Sequence, residues 1–338
     1  MAVFEQNIIG IDLGTANTLI CMKKKGTVIR EPSIVTYEGN TKRVLAIGSE
    51  AKETAGKTHG GICTIRPLKE GVVADYELTC TMLKSFLKKA GCSSLSRPKV
   101  IICIPKEVTE IEKRALEEVT FEAGASGVSL IDEPLAAAIG VGMQIKAPFG
   151  NLIVDIGGGT TEIAVISMGE IISSVSLRVA GNSFDRAIVS YVRRKFNVQI
   201  GESNAEDIKI AAGSAYYATD KGLFEAKGQN LSSGLGAAFS VYSSEIREAI
   251  ADDLLTIADG IRCVLEDTTP ELCADIYESG ITVGGGGALL PGIDLFLEEQ
   301  TKLPVFLAKK PLDCVIDGIY KMMENPVYNS LIHMVKKI

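Results

Sequence analysis

Polar and hydrophobic positions along the chain follow two periods. Short apolar runs closed by turn residues mark strands, and stretches with apolar residues three and four apart mark helices. Asn7 to Met22 reads as an apolar strand, a turn at Asp12-Leu13-Gly14-Thr15 and a second apolar strand. Asn151 to Met168 repeats the arrangement: Leu152-Ile153-Val154, a turn from Asp155 to Thr160, then Ile163-Ala164-Val165-Ile166. In both, an aspartate ends a buried strand and a glycine-bearing hairpin follows. Two copies about half a chain apart point to a duplicated unit.

Each copy leads into further strands and then helices. After the first, Gly26–Ile34 and Arg43–Gly48 are strand-like, and Val72 to Ala90 has helical period with Met82, Leu83, Phe86 and Leu87 on one face. Lys99–Pro105 is a buried strand and Thr109 to Ala123 a helix. Ser129–Ile131 is a strand stopped at Asp132-Glu133-Pro134, and Leu135–Val141 is the next helix. The second half mirrors this order. Ile171–Val179 is a strand, and Ser183–Phe196 a helix capped by Asn182 or Ser183. Asn204–Gly213 is helical, Phe224–Val241 is strand and loop, and Ser244–Leu265 is a long helix. Gly280–Val283 is a strand, and the glycine run Gly284–Gly287 opens the helix near Pro291. The fold class is α/β in two halves with a cleft between them, into which both hairpins point.

Composition narrows the partners. The 338 residues suffice for two domains, and a chain 46% hydrophobic and 23% charged can bury a large core. The net charge of -7, with acids and bases interspersed, speaks against nucleic acid, which calls for a concentrated basic face. The eight cysteines are scattered, form no C-x-x-C pair and have two histidines to join them, so they read as buried thiols in a reducing cytosol rather than zinc ligands. The N-terminus lacks a basic segment followed by an apolar one, and no apolar run reaches the ~18 residues of a spanning helix. The expected location is cytoplasmic.

Three glycine-bearing segments carry the candidate chemistry. Asp12 to Thr18, with Gly14, Thr15, Ala16 and Asn17, can aim backbone amides and the Thr15 and Asn17 side chains at phosphate oxygens, although an ordinary hairpin explains this segment equally well. Asp155 to Thr161 is more telling. The consecutive Gly157, Gly158 and Gly159 each give up about 0.5–1 kcal/mol relative to alanine, which a hairpin seldom tolerates unless its backbone must approach something. Asp12 and Asp155 would then face each other and hold a hydrated Mg²⁺, an ion that keeps most of its waters and takes few carboxylates. Gly284–Ala288 sits between a strand and a helix, where a nucleotide can lie. The run is neither a dinucleotide fingerprint nor a Walker loop, so both commoner nucleotide folds are disfavoured.

These segments, with Asp132-Glu133-Pro134-Leu135-Ala136-Ala137-Ala138 between them, resemble the five-part signature of the actin, sugar-kinase and heat-shock-chaperone superfamily, in the right order. Within it the chain resembles the MreB/Mbl family of bacterial actin-like cell-shape proteins from about Ile8 to Met322. Family-typical stretches include Gly10–Leu19, Arg66-Pro67-Leu68-Lys69-Glu70-Gly71-Val72 and Thr269–Ile276. The resemblance implies an actin-like ATPase fold of two duplicated RNase-H-like domains with an ATP and Mg²⁺ cleft between them. The domains would be 1–141, with a small insert at about 32–69, and 142–325, with an insert at about 180–242, followed by a tail at 326–338. It implies that Glu133 orients the attacking water, with Asp155 beside it in catalysis, and that Glu206 and Lys209 contact the adenine and ribose. Without the resemblance Glu133 reads as a helix-start acid, and Glu206 and Lys209 as a solvated pair. Gly285, Gly286, Gly287 and Ala288 would complete the nucleotide pocket.

The implied function is a slow, polymerisation-coupled ATPase forming filaments, antiparallel double protofilaments in the family. These would organise cell-wall synthesis with the membrane proteins of the elongation machinery at the inner membrane face, and so set rod shape. Asp132, Asn182 and Gly284 stand where the family commonly has glutamate, aspartate and threonine, which bears on hydrolysis rate more than on binding. The loop at 91–98 offers only Leu95 as an apolar membrane contact. The tail places Val327, Leu331, Met334, Val335 and Ile338 at helical spacing beside Lys336 and Lys337, a pattern that suits either a helix lying on a membrane or one packed on its own domain. A chaperone-like ATPase would need a further peptide domain, for which 338 residues leave no room, and a sugar or acetate kinase would need an acceptor pocket that no segment clearly supplies.

Overall fold

The structure, a computed structural model, describes residues 8–93 and 97–335. Leu95 of the 91–98 loop and Lys336, Lys337 and Ile338 of the tail lie outside the described residues. The chain opens with β1 (Ile8–Leu13), β2 (Asn17–Met22) and β3 (Gly26–Pro32), an antiparallel meander. A small sheet follows from β4 (Val35–Glu38), β5 (Val44–Ile47) and β6 (Ile62–Ile65), with the short helix α1 (Ser49–Thr54) between the last two strands. It lies within the stretch 32–69. The hairpin β7 (Leu68–Lys69) and β8 (Val72–Val73) turns at Glu70-Gly71, both with positive φ (50° and 77°). That left-handed pair suits a type I′ turn, in which glycine carries no steric penalty.

Helix α2 (Tyr76–Lys89) is capped by the Asp75 carboxylate, which accepts from the Leu78 amide, and buries Met82, Leu83, Phe86 and Leu87 as its period predicts. β9 (Lys99–Ile104), α3 (Glu110–Glu122), β10 (Gly127–Asp132) and α4 (Glu133–Val141) complete the first half, with a reciprocal Thr109–Glu112 capping box at the start of α3. The second half runs β11 (Asn151–Ile156), β12 (Thr161–Ser167), β13 (Glu170–Leu177), α5 (Gly181–Phe196), β14 (Val198–Gln199), α6 (Glu202–Ala212), β15 (Leu223–Asn230), β16 (Gly236–Tyr242), α7 (Ser243–Glu266), α8 (Pro270–Ser279), β17 (Ile281–Gly284), α9 (Ile293–Thr301) and β18 (Val305–Leu307). The chain ends with α10 (Cys314–Glu324) and β19 (His333–Val335).

The duplication shows in the sheets. One reads β3-β2-β1-β9-β10 with β19 added at the edge; the other reads β13-β12-β11-β17-β18. In both, the first strand pairs antiparallel with the second and parallel with the fourth, which in turn pairs parallel with the fifth. Each sheet packs one face into its own core: Ile9, Ile11, Val100 and Ile102 with α2, and Leu152, Val154, Ile163 and Val165 with Phe184, Ile188 and Ile257.

The chain divides into two compact units. One holds the residues up to Ala147, Met168–Ile171 and the chain from Leu312; the other holds Pro148–Ser167 and Ile172–Pro311. This differs from the expected boundary, which kept 142–325 together. Helix α10 returns to the first unit because its backbone crosses that of α4 at two glycines. A Cβ on Gly140 would stand 1.7 Å from the Cys314 carbonyl oxygen, and one on Gly318 would stand 1.8 Å from the Ala136 oxygen. Lys321 then donates to the Ile139 and Gly140 carbonyls at the end of α4.

Two local expectations are corrected. Helix α5 starts at Gly181 with Ala180 as its N-cap; Ser183 acts from the third helical position, accepting from the Ala180 amide and donating to its carbonyl. Among its described residues the tail forms no α-helix. Pro326–Leu331 forms a 3₁₀ turn, and His333–Val335 pairs antiparallel with β10, Val128 opposite Val335 and Leu130 opposite His333. The outer edge of β10 offers unpaired amides and carbonyls, and three residues of extended chain satisfy them.

Candidate functional site

Strand β1 carries Asp12 to the end of the first sheet where the parallel strands β9 and β10 also finish, at Ile104 and Asp132. Open α/β sheets place ligands at this carboxyl edge. The turn that follows is held from behind. Ser33 Oγ donates to the Gly14 carbonyl at 2.6 Å, the Ser33 amide donates to Ala16 O at 3.0 Å, and Arg66 donates to Ala16 O at 3.1 Å and Thr15 O at 3.5 Å. In a trans peptide the C=O and the following N–H point in opposite directions. Pinning the carbonyls of Gly14, Thr15 and Ala16 therefore turns the amides of Thr15, Ala16 and Asn17 away from the protein, as an anion cradle requires. A Cβ on Gly14 would stand 2.8 Å from Asn17 O, so the turn tolerates no side chain there.

The Thr15 side chain differs from the expected phosphate contact: it is buried, and its hydroxyl accepts from the Gly71 amide at 3.1 Å. Asn17 is exposed. The Arg66–Val72 stretch thus has a structural meaning, since its hairpin reaches the turn through Arg66 and Gly71. Spacing could not reveal this contact across some 50 residues.

Burial pushes the Asp12 carboxyl up to about 6 from its ordinary 3.8. The Cys103 thiol, donating to Oδ1 at 3.6 Å, pulls it back, and the Asp313 carboxylate pushes further up. Asp313 itself pairs with Arg30. Glu133 is the first residue of α4 and follows Asp132, whose carboxylate takes Lys106 at 2.9 Å. Burial also raises the Cys103 thiol well above its ordinary range, with Asp12 and Glu133 adding to that push. Asp12, Cys103 and Glu133 therefore share one electrostatic neighbourhood in the first unit. Sequence reasoning read Cys103 only as a core thiol.

The second unit repeats the device with different partners. Asp155, 4% exposed, ends β11 opposite Gly284 of β17. The Gly157 amide donates to Thr160 O at 2.9 Å and closes the turn. The start of α5 pins the turn's carbonyls, with the Gly181 amide on Gly157 O at 3.1 Å and the Asn182 amide on Gly158 O at 2.8 Å. By the same peptide geometry the amides of Gly158 and Gly159 point away from α5. Thr160 is buried beside them, and Thr161 donates to Val179 O at 2.6 Å.

Lys209 of α6 is committed within the protein: its ammonium lies 2.8 Å from Asp185 Oδ1 and 2.9 Å from Gly181 O. Glu206, one turn earlier, is half-buried. Asp185 was legible only as an acid on the buried stripe of α5, among Phe184, Ile188 and Tyr191.

The glycine run after β17 leads to its helix through an intervening turn. Gly286–Leu289 is a 3₁₀ turn, and the helix expected near Pro291 is α9, which starts at Ile293 after Gly292. Its glycines answer to packing. A Cβ on Gly285, where φ is +76°, would stand 2.3 Å from Ile156 O and 2.5 Å from Asp155 Oδ1. One on Gly287 would stand 2.2 Å from Ile156 Cγ2, and Ala288 is buried. The run lies against the end of β11, beside Asp155.

Hard carboxylate oxygens at Asp12 and Asp155 suit Mg²⁺ and not a soft metal. Among the described residues no group of three or more His, Cys, Asp and Glu side chains is placed to hold a metal ion. A hydrated Mg²⁺ takes few carboxylates and keeps most of its waters.

A family model described as MreB/Mbl protein matches residues 6–330. The chain belongs to the MreB/Mbl family. The cell shape-determining protein Mbl of Bacillus cereus is 47% identical over 318 residues, covering 94% of this chain and 96% of that protein. The cell shape-determining protein MreB of Escherichia coli is 45% identical over 324 residues, covering 94% and 93%. Crystal structures of MreB5 of Spiroplasma citri, bound to ADP in one and AMPPNP in another, superpose with TM-scores of 0.91 at 39% and 38% identity. They cover 96% and 97% of this chain and 98% and 100% of those chains. An MreB/Mbl member of this similarity has the actin-like fold.

Proposed function

We propose that this chain determines cell shape as an actin-like protein that binds Mg-ATP, assembles into filaments and hydrolyses the nucleotide slowly as it polymerises. The observation that carries the reading is the doubled aspartate turn, each copy with its carbonyls pinned inward and its amides turned out. The nucleotides named for MreB5 of Spiroplasma citri agree with it.

In this reading the amides of Thr15 to Asn17 and of Gly158 and Gly159 hold phosphate oxygens. Asp12 and Asp155 accept from the waters of Mg²⁺, which when bound neutralises phosphate charge. Glu133 orients the attacking water, and phosphoryl transfer asks little more of the protein than such positioning and charge neutralisation. Glu206 and Lys209 serve the nucleoside, with Lys209 acting through its grip on Gly181. The Gly285–Ala288 turn closes the pocket beside Asp155.

Polymerisation follows from the scale of the task. A 36.0 kDa protein cannot report the curvature of a whole cell, whereas a filament of many copies can. Exposed apolar side chains such as Ile111 and Tyr277, at 80% and 69% exposure, are available for contacts between copies. No helix among the described residues is long and apolar enough to cross a membrane, so the proposed place is peripheral, at the inner face. The proposed partners there are the membrane proteins of the cell-wall elongation machinery.

The test is sedimentation of the purified full chain with Mg-ATP, with ATP and EDTA, and without nucleotide, following phosphate release in parallel. Mg-ATP should give pelletable filaments and a slow release of phosphate. Glu133→Gln should keep nucleotide affinity while release slows at least tenfold, since the carboxylate acts on water and not on ATP. Absence of Mg²⁺-dependent nucleotide binding would refute the reading.

A further inference from the structure

Strand β9 alternates strictly. Val100, Ile102 and Ile104 enter the core against α2, so Ile101 and Cys103 face the other side of the sheet. On β1 the core takes Ile9, Ile11 and Leu13, which leaves Gly10 and Asp12 on that same second face. The parallel register sets Ile11 beside Ile102, and one step further Asp12 comes beside Cys103. On the other flank Cys103 is in register with Ile131 of β10, two residues before Glu133. Cys103 thus stands on the middle strand between the two carboxylates proposed for metal and water, with its thiol 3.6 Å from Asp12 Oδ1.

We propose that Cys103 is a positioning residue of the nucleotide site: its buried thiol donates to Asp12 Oδ1 and fixes the carboxylate in the orientation that meets Mg²⁺. The inference rests on the Mg-ATP reading above and goes beyond it in naming what aims Asp12. A half-buried carboxylate without a local donor would rotate toward whatever water reaches it. A donor that never carries charge is the one kind that can stand between Asp12 and Glu133 without repelling either or neutralising one of them. Lysine or arginine there would pair with Asp12 and displace the metal, and an acid would add a third negative charge. A buried thiol meets the requirement, and the geometry supplies it, with Cys103 Sγ 3.6 Å from Asp12 Oδ1. Cys80, buried on α2 with Lys84 and Glu122 as its charged neighbours and not Asp12 or Glu133, serves as the control thiol.

The experiment titrates Mg²⁺ into the full chain with a fluorescent ATP analogue, and measures binding of the analogue in EDTA separately. Cys103→Ala should raise the Mg²⁺ concentration for half-maximal binding about three- to tenfold, the effect of one lost hydrogen bond to a charged acceptor. Binding in EDTA should move far less. Cys103→Ser, which restores an uncharged donor, should return the Mg²⁺ requirement to within about twofold of wild type, while Cys80→Ala changes nothing. Cys103→Val, which fills the space without a donor, takes the place of the alanine variant if that one does not fold, and should behave as alanine does. An unchanged Mg²⁺ requirement in the donorless variant overturns the proposal. So does an equal loss of binding with and without Mg²⁺ that serine does not rescue, which would mark a packing role. If wild type itself binds no nucleotide in a Mg²⁺-dependent way, the underlying reading falls and this inference with it.

Discussion

The Lys209 ammonium stands 2.8 Å from Asp185 Oδ1 and 2.9 Å from the Gly181 carbonyl, so one side chain ties α6 to the start of α5. Gly181 in turn donates its amide to Gly157 O in the glycine turn. Three contacts therefore join the helix proposed for the nucleoside to the turn proposed for phosphate, all inside the second unit. A Cβ at 181 would stand 3.4 Å from Gly157 O and 3.5 Å from Lys209 Nζ, ordinary van der Waals contact, so the arrangement itself does not demand a glycine there.

Removing the cation should therefore do more than weaken a ligand contact. Lys209→Met leaves a carboxylate whose side chain is 9% exposed without its counter-charge, and should destabilise the nucleotide-free protein by about 3 kcal/mol. Lys209→Met combined with Asp185→Leu should recover much of that loss, because the desolvated charge is then gone. Urea unfolding of the two singles and the double decides it. Additive losses would mean that the pair does not act as a unit.

Asp12 gives a pH prediction whose sign is opposite to the common one for an acid. Its folded-state value near 6 lies above the ordinary 3.8, so between these values the folded chain binds more protons than the unfolded one. Stability then falls as pH rises from about 4 to about 6 and stays down above that, by at most about 3 kcal/mol from this group. Asp12→Asn should accordingly unfold at higher temperature than wild type at pH 8 without nucleotide or metal, and show no such gain at pH 4. A gain that is the same at both pH values would show that burial of charge at Asp12 is not its cause. Stability given up at a ligand-facing group is the usual signature of a site.

How far the sequence disclosed these features depends on the distance over which each is encoded. The aspartate turns, the amphipathic face of α2 and the order of strands and helices follow from neighbouring residues, and period and turn chemistry suffice to read them. The glycines at 285 and 287 are visible as unusual and a helix does follow them, but the reason that no side chain fits there is Ile156, some 130 residues earlier. The contacts of Arg66 with the first turn, Cys103 with Asp12, and Lys209 with Asp185 have no local signature and appear only when strands and helices are placed side by side. The tail was misread for a related cause. Its helical spacing is genuine, but the open edge of β10, which no local pattern announces, outcompetes a short helix that is marginal in water.

The crossing of α4 and α10 links packing to the proposed catalytic carboxylate. Gly318 lies so near the Ala136 carbonyl that Gly318→Ala must push the helices apart, and α4 begins at Glu133. The variant should lose about 2–4 kcal/mol of stability. In what remains folded, phosphate release should fall more than nucleotide affinity, because a shift of the order of 1 Å at a positioned group is felt first in the chemical step. Parallel measurement of affinity and release distinguishes this from general damage, which would lower both together.

The tail supplies the last prediction. His333–Val335 completes the first sheet by backbone pairing to β10, and Val327, at 56% exposure, lies outside that pairing in the preceding 3₁₀ turn. Deleting residues 326–338 should therefore lower the unfolding temperature by several degrees with no lipid present, since it strips the β10 edge and uncovers whatever Leu331 buries. Val327→Ser should leave that temperature unchanged. A strand held by its backbone cannot also present the helical stripe of Val327, Leu331, Met334 and Val335, so anionic vesicles should add no helix to the circular dichroism of the full chain. Any flotation of filaments on such vesicles should then survive substitution of Val327. A rise in helix content that requires residues 326–338 would show that the tail leaves β10 for the membrane, and that the pairing to β10 is only its resting place.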